Sequence, residues 1–301
     1  MNLIADLEKI LISKFINLGF KHPVSNIHDL LRAFFNLTDK SISIQKRKVY
    51  LSTELKNKQL PKPYGHYLKQ VIQKFKEGQN LIPHLSIKAV KPHQKDLLLY
   101  DWGIHHLHLG DTLNPNGFIK RSDYILFFVL KENEVYLIDV TKHKLEDRTE
   151  FSQQQLLQIL KNNWPFLLTP FQLKNITNLS KKFTDKELSI IRKNGGMALV
   201  EIDNIIFRSM GGGISTAKTN LDHTIRADKI VKILRTIEID IISRKQIIET
   251  IATDYKLTLN PIDFNLILHE KNFYIIQSYS KQKIITLEGL HEIILRHLFD
   301  S

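Results

Sequence analysis

Apolar residues recur every three or four positions through much of the first 80 residues, which is the spacing of amphipathic helices. The pattern predicts a helix over residues 3–18 that ends at Gly19. Asn26 is expected to cap a second helix, IHDLLRAFFNL. After the break PKPYG, a further helix, HYLKQVIQKFKEG, is expected to end at Gly78. We therefore predict a basic helical region over residues 1–80.

Strand-like patterning follows and is strongest from Leu97 to Val140. The segments ILFFVL and VYLIDV flank KENE, a connector of hairpin length. A helix, QQQLLQILKNNW, is expected to end at Trp164. These features predict an antiparallel-sheet domain over residues 81–180, which contains the candidate active site described below.

The last third of the chain mixes helices and strands. It is expected to contain a helix from Thr184, two short strands (ALVEI and NIIF), and helices over residues 221–237 and 244–255. Two more strands (FNLILH and FYIIQS) and the helix LHEIILRHLF close the chain. Residues 181–301 are therefore predicted to be a C-terminal α+β domain, and the whole chain an α+β protein.

Charge narrows the range of partners. Lysine and arginine number 43 against 31 aspartates and glutamates, a net charge of +12, which favours a polyanion such as nucleic acid as the partner.

Cysteine is absent, which excludes disulfides, thiolate zinc sites and a cysteine nucleophile. Charged residues interrupt the N-terminal apolar pattern, and no apolar run reaches the roughly 20 residues of a membrane span. We expect a cytoplasmic protein with no signal peptide and no membrane partner.

The stretch 97–144 carries the residues with the clearest chemistry. His105, His106 and His108 lie close together on a predicted strand. Alternation along a strand places His106 and His108 on one face, which we expect to be open, and His105 on the opposite, buried face.

The last strand of this segment adds a further set of polar groups. Alternation predicts that Leu137, Asp139, Thr141 and His143 share one face and that Lys142 points away. Twist at the strand end is expected to bring both Lys142 and His143 to one rim.

These side chains match the needs of RNA cleavage without a metal cofactor. Histidine suits proton transfer near neutral pH, and arginine and lysine stabilise charge on phosphate oxygens. The hypothesis assigns His106 or His108 as the base and His143 as the acid. Arg121 and Lys142 hold the scissile phosphate. The expected function is an endoribonuclease.

The pieces DLLLYDWGIHHLHL, RSDYILFFV and VYLIDVTKHK resemble, in that order, the core of RelE/HigB-type toxins. The resemblance covers residues 97–144. It implies a small antiparallel sheet with helices to one side and metal-independent cleavage of mRNA. It also matches Arg121, Tyr124, Lys142 and Lys144 to the family's basic and aromatic positions. A toxin or phage-defence effector of this kind would have RNA as one partner and a protein inhibitor or antitoxin as another.

Two acidic residues support an alternative. Asp123 opens one strand of the predicted hairpin and Asp139 lies late in the next, a spacing that resembles PD-(D/E)XK nucleases. In those enzymes two acids bind Mg²⁺ and a lysine positions the attacking water. Thr141 stands at the expected lysine position, and Lys142 is one residue late. This alternative predicts a magnesium-dependent DNA nuclease.

A non-catalytic nucleic-acid-binding module is a third interpretation. Lys120 and Lys144 would contact neighbouring phosphates, and the aromatic residues Phe118, Tyr124 and Tyr136 would suit base stacking.

Two further patterns leave other sites open. His106 and His108, with His143 or Asp111, could ligate zinc. The glycine-rich loop 211–219 nearly matches a phosphate-binding GxxxxGK[ST] motif, but an alanine replaces the second glycine. A plain glycine turn before a helix is therefore the preferred interpretation of that loop.

Overall fold

The structure, a computed structural model, describes residues 1–20, 26–120, 122–143, 146, 149–176, 178–254 and 263–294. It contains both helices and separate sheets, which confirms the predicted α+β class. The chain forms two compact units. The first combines Met1–Thr38 with His223–Phe299, and the second spans Asp39–Asp222. The predicted domain bounds at residues 80 and 180 both fall inside the second unit.

The helices and strands alternate irregularly along the chain. The described helices are α1 (Leu3–Asn17), α2 (Ile27–Lys40), α3 (Thr53–Asn57), α4 (Tyr64–Glu77), α5 (Leu97–Trp102), α6 (Gln155–Asn163), α7 (Asp185–Lys193), α8 (Leu221–Asp254) and α9 (Leu290–Ile294). The described strands are β1 (Lys48–Leu51), β2 (His105–His108), β3 (Tyr124–Lys131), β4 (Glu134–Lys142), β5 (Val200–Ile202), β6 (Ile205–Phe207), β7 (Phe264–His269), β8 (Asn272–Gln277) and β9 (Lys283–Leu287). Short 3₁₀ turns lie at Ile82–His84, Pro165–Leu167 and Thr169–Phe171.

The first two helices follow the sequence pattern closely. The Asn2 side chain accepts a hydrogen bond from the Ala5 amide at 2.8 Å and so caps α1. The Asn26 side chain likewise accepts from the Asp29 amide at 3.2 Å, at the start of α2. The buried side chains of α1 are spaced by four residues: Leu3, Leu7, Leu11 and Phe15. They join the core of the first unit, where α1 packs against β7.

Helix α8 is continuous, whereas the sequence pattern predicts two helices separated after residue 237. Residues 238–243 contain no glycine or proline, so nothing in the chain ends the helix there. The antiparallel sheet β7–β8–β9 of the same unit includes β9, which the sequence did not predict. No helix in the described ranges is long and apolar enough to cross a lipid bilayer.

The second unit is built around a four-stranded sheet with the order β1-β4-β3-β2. Strands β2, β3 and β4 are antiparallel, as predicted, but β1 adds a parallel pairing to β4. Helices α5 and α6 contribute to a hydrophobic cluster on one face, which includes Ile125, Phe127 and Ile138. Helix α4 contributes to a second cluster on the other face, which includes Leu126 and Phe128. Both faces of the sheet are therefore covered.

Residues 97–102 form a helix, although the sequence pattern predicts a strand there. The Asp96 side chain accepts a hydrogen bond from the Leu99 amide at 3.1 Å, which caps the helix start. Gly103, with φ +66°, ends the helix in the left-handed conformation that glycine adopts without a steric penalty. The apolar run between these two signals is buried on all sides, so it lacks the one-sided pattern that identifies a surface helix.

A bulge in β4 changes the predicted faces of that strand. Phe128 pairs with Leu137, and Phe127 pairs with Asp139, so Ile138 is the extra residue. Leu137 packs in the cluster on the α4 side, whereas Asp139 lies opposite a residue of the other cluster. The prediction that Leu137 shares a face with Asp139 is therefore wrong. An extra residue shifts the alternation by one position.

Candidate active site

Three of the predicted histidines line a single cavity in the second unit. His106 and His108 project from β2, and His143 follows directly after β4. The cavity has a volume of about 560 Å³. Strand β3 holds the two segments in place: His108 is paired with Ile125, and the His143 amide donates a hydrogen bond to the Asp123 carbonyl at 2.7 Å.

Two of the three imidazole rings contact one phenylalanine, and the third stacks on one of these two. His108 and His143 stack with ring centroids 5.1 Å apart and an interplanar angle of 25°. Phe151 presents its ring to His106 at 5.0 Å and to His143 at 6.2 Å, both edge to face. The alternation that puts His106 and His108 on one face is present in the structure. Their shared cavity could not be deduced from it.

The sequence predicts an open face around these histidines, and this prediction is wrong. His108 is 8% exposed, and the adjoining sheet positions pack in the hydrophobic cluster of α5 and α6. The cavity walls come from segments distant in sequence. They include Leu85–Ala89, Gln94–Leu98 and residues of α7.

Asp96 places a carboxylate in the cavity wall. One of its oxygens, Oδ2, lies 3.7 Å from His106 Nδ1, and the other caps α5. The carboxylate is thereby fixed by the helix it caps and directed towards one side of the imidazole. Sequence reasoning missed this residue, although an aspartate directly before an apolar run is an N-cap signal.

Lysines supply most of the charge around the cavity. Lys40 is buried, and its Nζ donates to the carbonyls of Lys91 and Gln94, both at 2.8 Å. Burial lowers the pKa of Lys40 to about 8, against the opposing effect of Asp96. Lys88 and Lys193 also line the cavity, and their side chains are exposed.

The two exposed lysines are available to a ligand. Within the described part of the chain, the side-chain Nζ of neither Lys88 nor Lys193 forms a hydrogen bond or an ion pair. Sequence reasoning missed both, because they lie on segments that only the tertiary fold brings to the histidines.

Arg192 is a buried cation in the cavity wall. Its Nε donates to Asp101 Oδ2 and its Nη1 to the Phe151 carbonyl, both at 2.6 Å. The guanidinium lies over the Trp102 ring at 3.9 Å. Burial raises the pKa of Asp101 and lowers that of Arg192, and each residue opposes the shift of the other. The Phe151 carbonyl links this arginine to the ring that contacts the histidines.

Several predicted site residues lie elsewhere. Lys120 and Lys142 are exposed, and neither lines the cavity. Tyr124 packs against Tyr64 with ring centroids 4.4 Å apart, on the α4 side of the sheet. Arg121 and Lys144 lie outside the described residues.

Two more histidines, His84 and His105, contact residues of the sheet. His84 Nδ1 donates to the His108 carbonyl at 3.0 Å, and Lys74 Nζ donates to His84 Nε2 at 2.8 Å. His105 stacks on Phe128 with centroids 5.3 Å apart. Burial lowers the pKa of both His84 and His105 to about 4, so both are neutral at pH 7. His84 fixes the backbone of β2 at the point where a cavity histidine projects.

The acidic residues of the alternative nuclease site have separate surroundings. Lys58 Nζ lies 2.7 Å from both carboxylate oxygens of Asp139. Asp123 is exposed, with the Tyr64 hydroxyl 3.5 Å from its Oδ2. Across the described ranges, no group of three or more histidine, aspartate or glutamate side chains is arranged to hold a metal ion.

The glycine-rich loop packs against α5. The amides of Met210 and Gly211 donate to the Asp101 carbonyl at 2.8 and 2.9 Å, and the Gly213 amide donates to the Tyr100 carbonyl at 2.8 Å. A phosphate cradle needs such amides to be free for the ligand. In this loop they instead satisfy the carbonyls of α5, which supports a structural turn.

No protein-family model matches the chain, and neither a curated protein nor a solved structure matches it. The resemblance to RelE/HigB-type toxins therefore stays a prediction. The site has to be interpreted from its own residues.

Proposed function

We propose that the protein is an endoribonuclease whose active site is the cavity lined by His106, His108 and His143. The convergence of three imidazoles on one cavity, beside lysines that have no partner in the described chain, is the observation that supports this proposal. Proton carriers and phosphate-binding cations are the two kinds of group that RNA cleavage by transesterification requires.

In the proposed reaction, one imidazole takes the proton of a ribose 2′-hydroxyl. The 2′ oxygen then attacks the adjacent phosphorus, and the bond from phosphorus to the 5′ oxygen of the next nucleotide breaks. A second, protonated imidazole gives its proton to that leaving oxygen. The products are a 2′,3′-cyclic phosphate and a free 5′-hydroxyl, and no water is consumed in this step.

The surroundings of each ring support a division of roles. Asp96 lies on the Nδ1 side of His106, so we assign His106 as the base, acting through Nε2. His108 is its nearest alternative on the same strand. His143, stacked on His108, is assigned as the acid.

Phosphate binding is assigned to Lys88 and Lys193, since both line the cavity. Arg121 and Lys144 stay candidates, because they adjoin the same sheet in sequence. Lys120 and Lys142 would contribute only outside the cavity, through phosphates further along the strand.

The test is incubation of the purified protein with total RNA and with plasmid DNA, each with and without EDTA. We expect RNA alone to be cut, equally with EDTA, and the new ends to carry 2′,3′-cyclic phosphate. The His106→Ala and His108→Ala variants should lose this activity. The Lys131→Ala variant, which removes an exposed lysine at the β3–β4 turn, is the control. RNA that survives under all conditions would overturn the proposal.

A second candidate is the magnesium-dependent DNA nuclease, and one contact favours it. Thr141 stands where the nuclease motif has a lysine. Lys58, which lies outside the strand, places its Nζ beside the Asp139 carboxylate and could take the role of that lysine. This enzyme would cut plasmid DNA with Mg²⁺ and be silent in EDTA. Asp123→Asn, Asp139→Asn and Lys58→Ala would each abolish that activity, whereas His106→Ala would not.

A ribonuclease of this kind would act in the cytoplasm, where cellular RNA is present. We propose a role as a toxin or phage-defence effector, held in check by a protein inhibitor or antitoxin. Induced expression should arrest growth, and the His143→Gln variant should not. If both forms are equally harmless and purified protein cuts RNA, the toxin role fails while the ribonuclease stands.

A further inference from the structure

One nitrogen of the Arg192 guanidinium, Nη2, has no hydrogen-bond partner among the described residues. Nε and Nη1 are used by Asp101 and Phe151, but Nη2 is buried and has no hydrogen-bond acceptor among the described residues. Arg192 lines the cavity, and its side chain is only 3% exposed. A buried donor that is left unpaired costs free energy, which an acceptor supplied by a ligand would recover.

The missing acceptor is best supplied by an anion. Arginine prefers phosphate oxygens, to which it makes short charge-assisted hydrogen bonds. Lys88 and Lys193 add positive charge to the same cavity, where Asp96 is the one carboxylate among the described lining residues. These charges favour a phosphate as the polar end of a ligand.

Apolar side chains form another part of the wall. Phe118 lines the cavity but joins none of the hydrophobic clusters, and it contacts no other aromatic ring in the described ranges. A tight turn fixes its backbone: the Asn114 amide donates to the Phe118 carbonyl at 2.7 Å. Leu85 and Ile87 lie in the same wall. A flat aromatic base would stack on such a ring.

Size limits what can enter. A volume of about 560 Å³ lies within the roughly 300–1,000 Å³ of sites that enclose one small ligand. One nucleotide is of that size. A nucleotide within a duplex would first have to be unpaired and unstacked before it could enter the cavity.

We propose that this cavity encloses one nucleotide of an unpaired RNA strand, with its phosphate at Arg192 Nη2 and its base against Phe118. The inference rests on the proposed ribonuclease function and names the substrate of the same site. It adds Arg192, which the sequence did not single out, to Lys88 and Lys193 as a phosphate ligand inside the cavity.

The experiment is calorimetric titration of the full chain with the four nucleoside 3′-monophosphates, the matching nucleosides and inorganic phosphate. At least one monophosphate should bind with one-to-one stoichiometry, about tenfold more tightly than its nucleoside or phosphate alone, because two parts of the site act together. Equal affinity for phosphate and every monophosphate, or no monophosphate binding at all, would overturn the proposal.

Two variants separate the two halves of the ligand. Arg192→Lys keeps a cation beside Asp101 but removes the second arm of the guanidinium, so it should weaken monophosphate binding by about tenfold and leave nucleoside binding unchanged. Phe118→Leu should weaken nucleosides and monophosphates by the same factor. Lys131→Ala is the matched control and should change neither. If Arg192→Lys fails to fold, Phe118→Leu and Lys88→Ala carry the test.

A second arm compares short strands of one sequence: single-stranded RNA, the same RNA paired with its complement, and single-stranded DNA. The unpaired RNA should bind and be cut, and pairing should reduce both by about tenfold or more. A preference for the duplex, or DNA binding without RNA binding, would contradict the assignment. Monophosphate binding without cleavage of any RNA would overturn the ribonuclease and leave the nucleotide site standing. Equal cleavage of paired and unpaired RNA without monophosphate binding would overturn the nucleotide site and leave the ribonuclease standing.

Discussion

The rings of His108 and His143 stack at 5.1 Å although the residues are 35 positions apart, one on β2 and the other directly after β4, and β3 lies between these strands. One ring comes from β2 and the other from the end of β4. The antiparallel order of these strands places the end of β2 beside the end of β4. Two imidazoles are thereby held together by the four-stranded sheet of the second unit.

Replacing His143 by glutamine should lower RNA cleavage by about 10²–10⁴-fold, because loss of one proton-transfer group typically costs this much. The measurement is the initial rate of cleavage of a labelled oligoribonucleotide at pH 7. His269→Gln, at an exposed position on the β7–β8 hairpin, is the matched control and should retain full activity. A His143→Gln protein that cuts RNA at the wild-type rate would remove His143 from the mechanism.

The buried pair of Asp101 and Arg192 should be important for stability. Asp101→Asn is expected to lower the free energy of unfolding by roughly 3–5 kcal/mol, because it leaves the arginine charge buried without its counter-ion. Urea denaturation followed by circular dichroism measures this change. Asp240→Asn breaks an exposed pair with Arg244 on α8 and should cost less than about 1 kcal/mol. Equal losses in the two variants would contradict the buried-pair interpretation.

Stability should fall as the pH drops from about 6.5 towards 4. The pKa of His84 is lowered to about 4 in the folded protein against an ordinary 6.5, so in this interval the unfolded chain binds a proton that the folded chain does not. The full effect is roughly 3 kcal/mol, complete near pH 4 and absent above about pH 7. His105 adds to the same trend.

Urea denaturation at several pH values between 7 and 4.5 measures this slope. His84→Asn keeps a donor for the His108 carbonyl but cannot be protonated, so the variant should lose less stability on acidification than the wild type. His66→Asn, at an exposed position on α4, should keep the wild-type slope. An unchanged slope in His84→Asn would show that another group is responsible.

Gly211 should tolerate no side chain. A Cβ atom there would lie 1.8 Å from the Leu99 carbonyl oxygen, and both partners are backbone that cannot rotate away. Gly211→Ala should therefore destabilise the protein by about 3 kcal/mol or more and lower its melting temperature. Gly65→Ala, on α4 with open space around the added methyl group, should be neutral or slightly stabilising. A melting temperature unchanged in Gly211→Ala would mean that the loop does not pack on α5.

Local signals were sufficient for most single elements. Capping by Asn26, the left-handed glycine after α4 and the KENE turn each depend on neighbours in sequence, so α2, α4 and the β3–β4 hairpin were predictable. Helix α5 was not, because it is buried on all sides and its apolar run has no period to identify. The bulge at Ile138 was also not predictable, because one extra residue in a strand does not change the composition of the segment.

The sequence by itself determined which chemistry is available: imidazoles on one strand face, an excess of cations and no thiol. Strand alternation is a local property, so the shared face of His106 and His108 followed from it directly. The tertiary structure alone decided which groups meet. It left Lys142 outside the cavity and brought Asp96, Lys88, Lys193 and Arg192 to the histidines from distant segments. Such contacts depend on how helices and loops pack over the sheet, and packing is a property of the whole folded unit that no local spacing encodes.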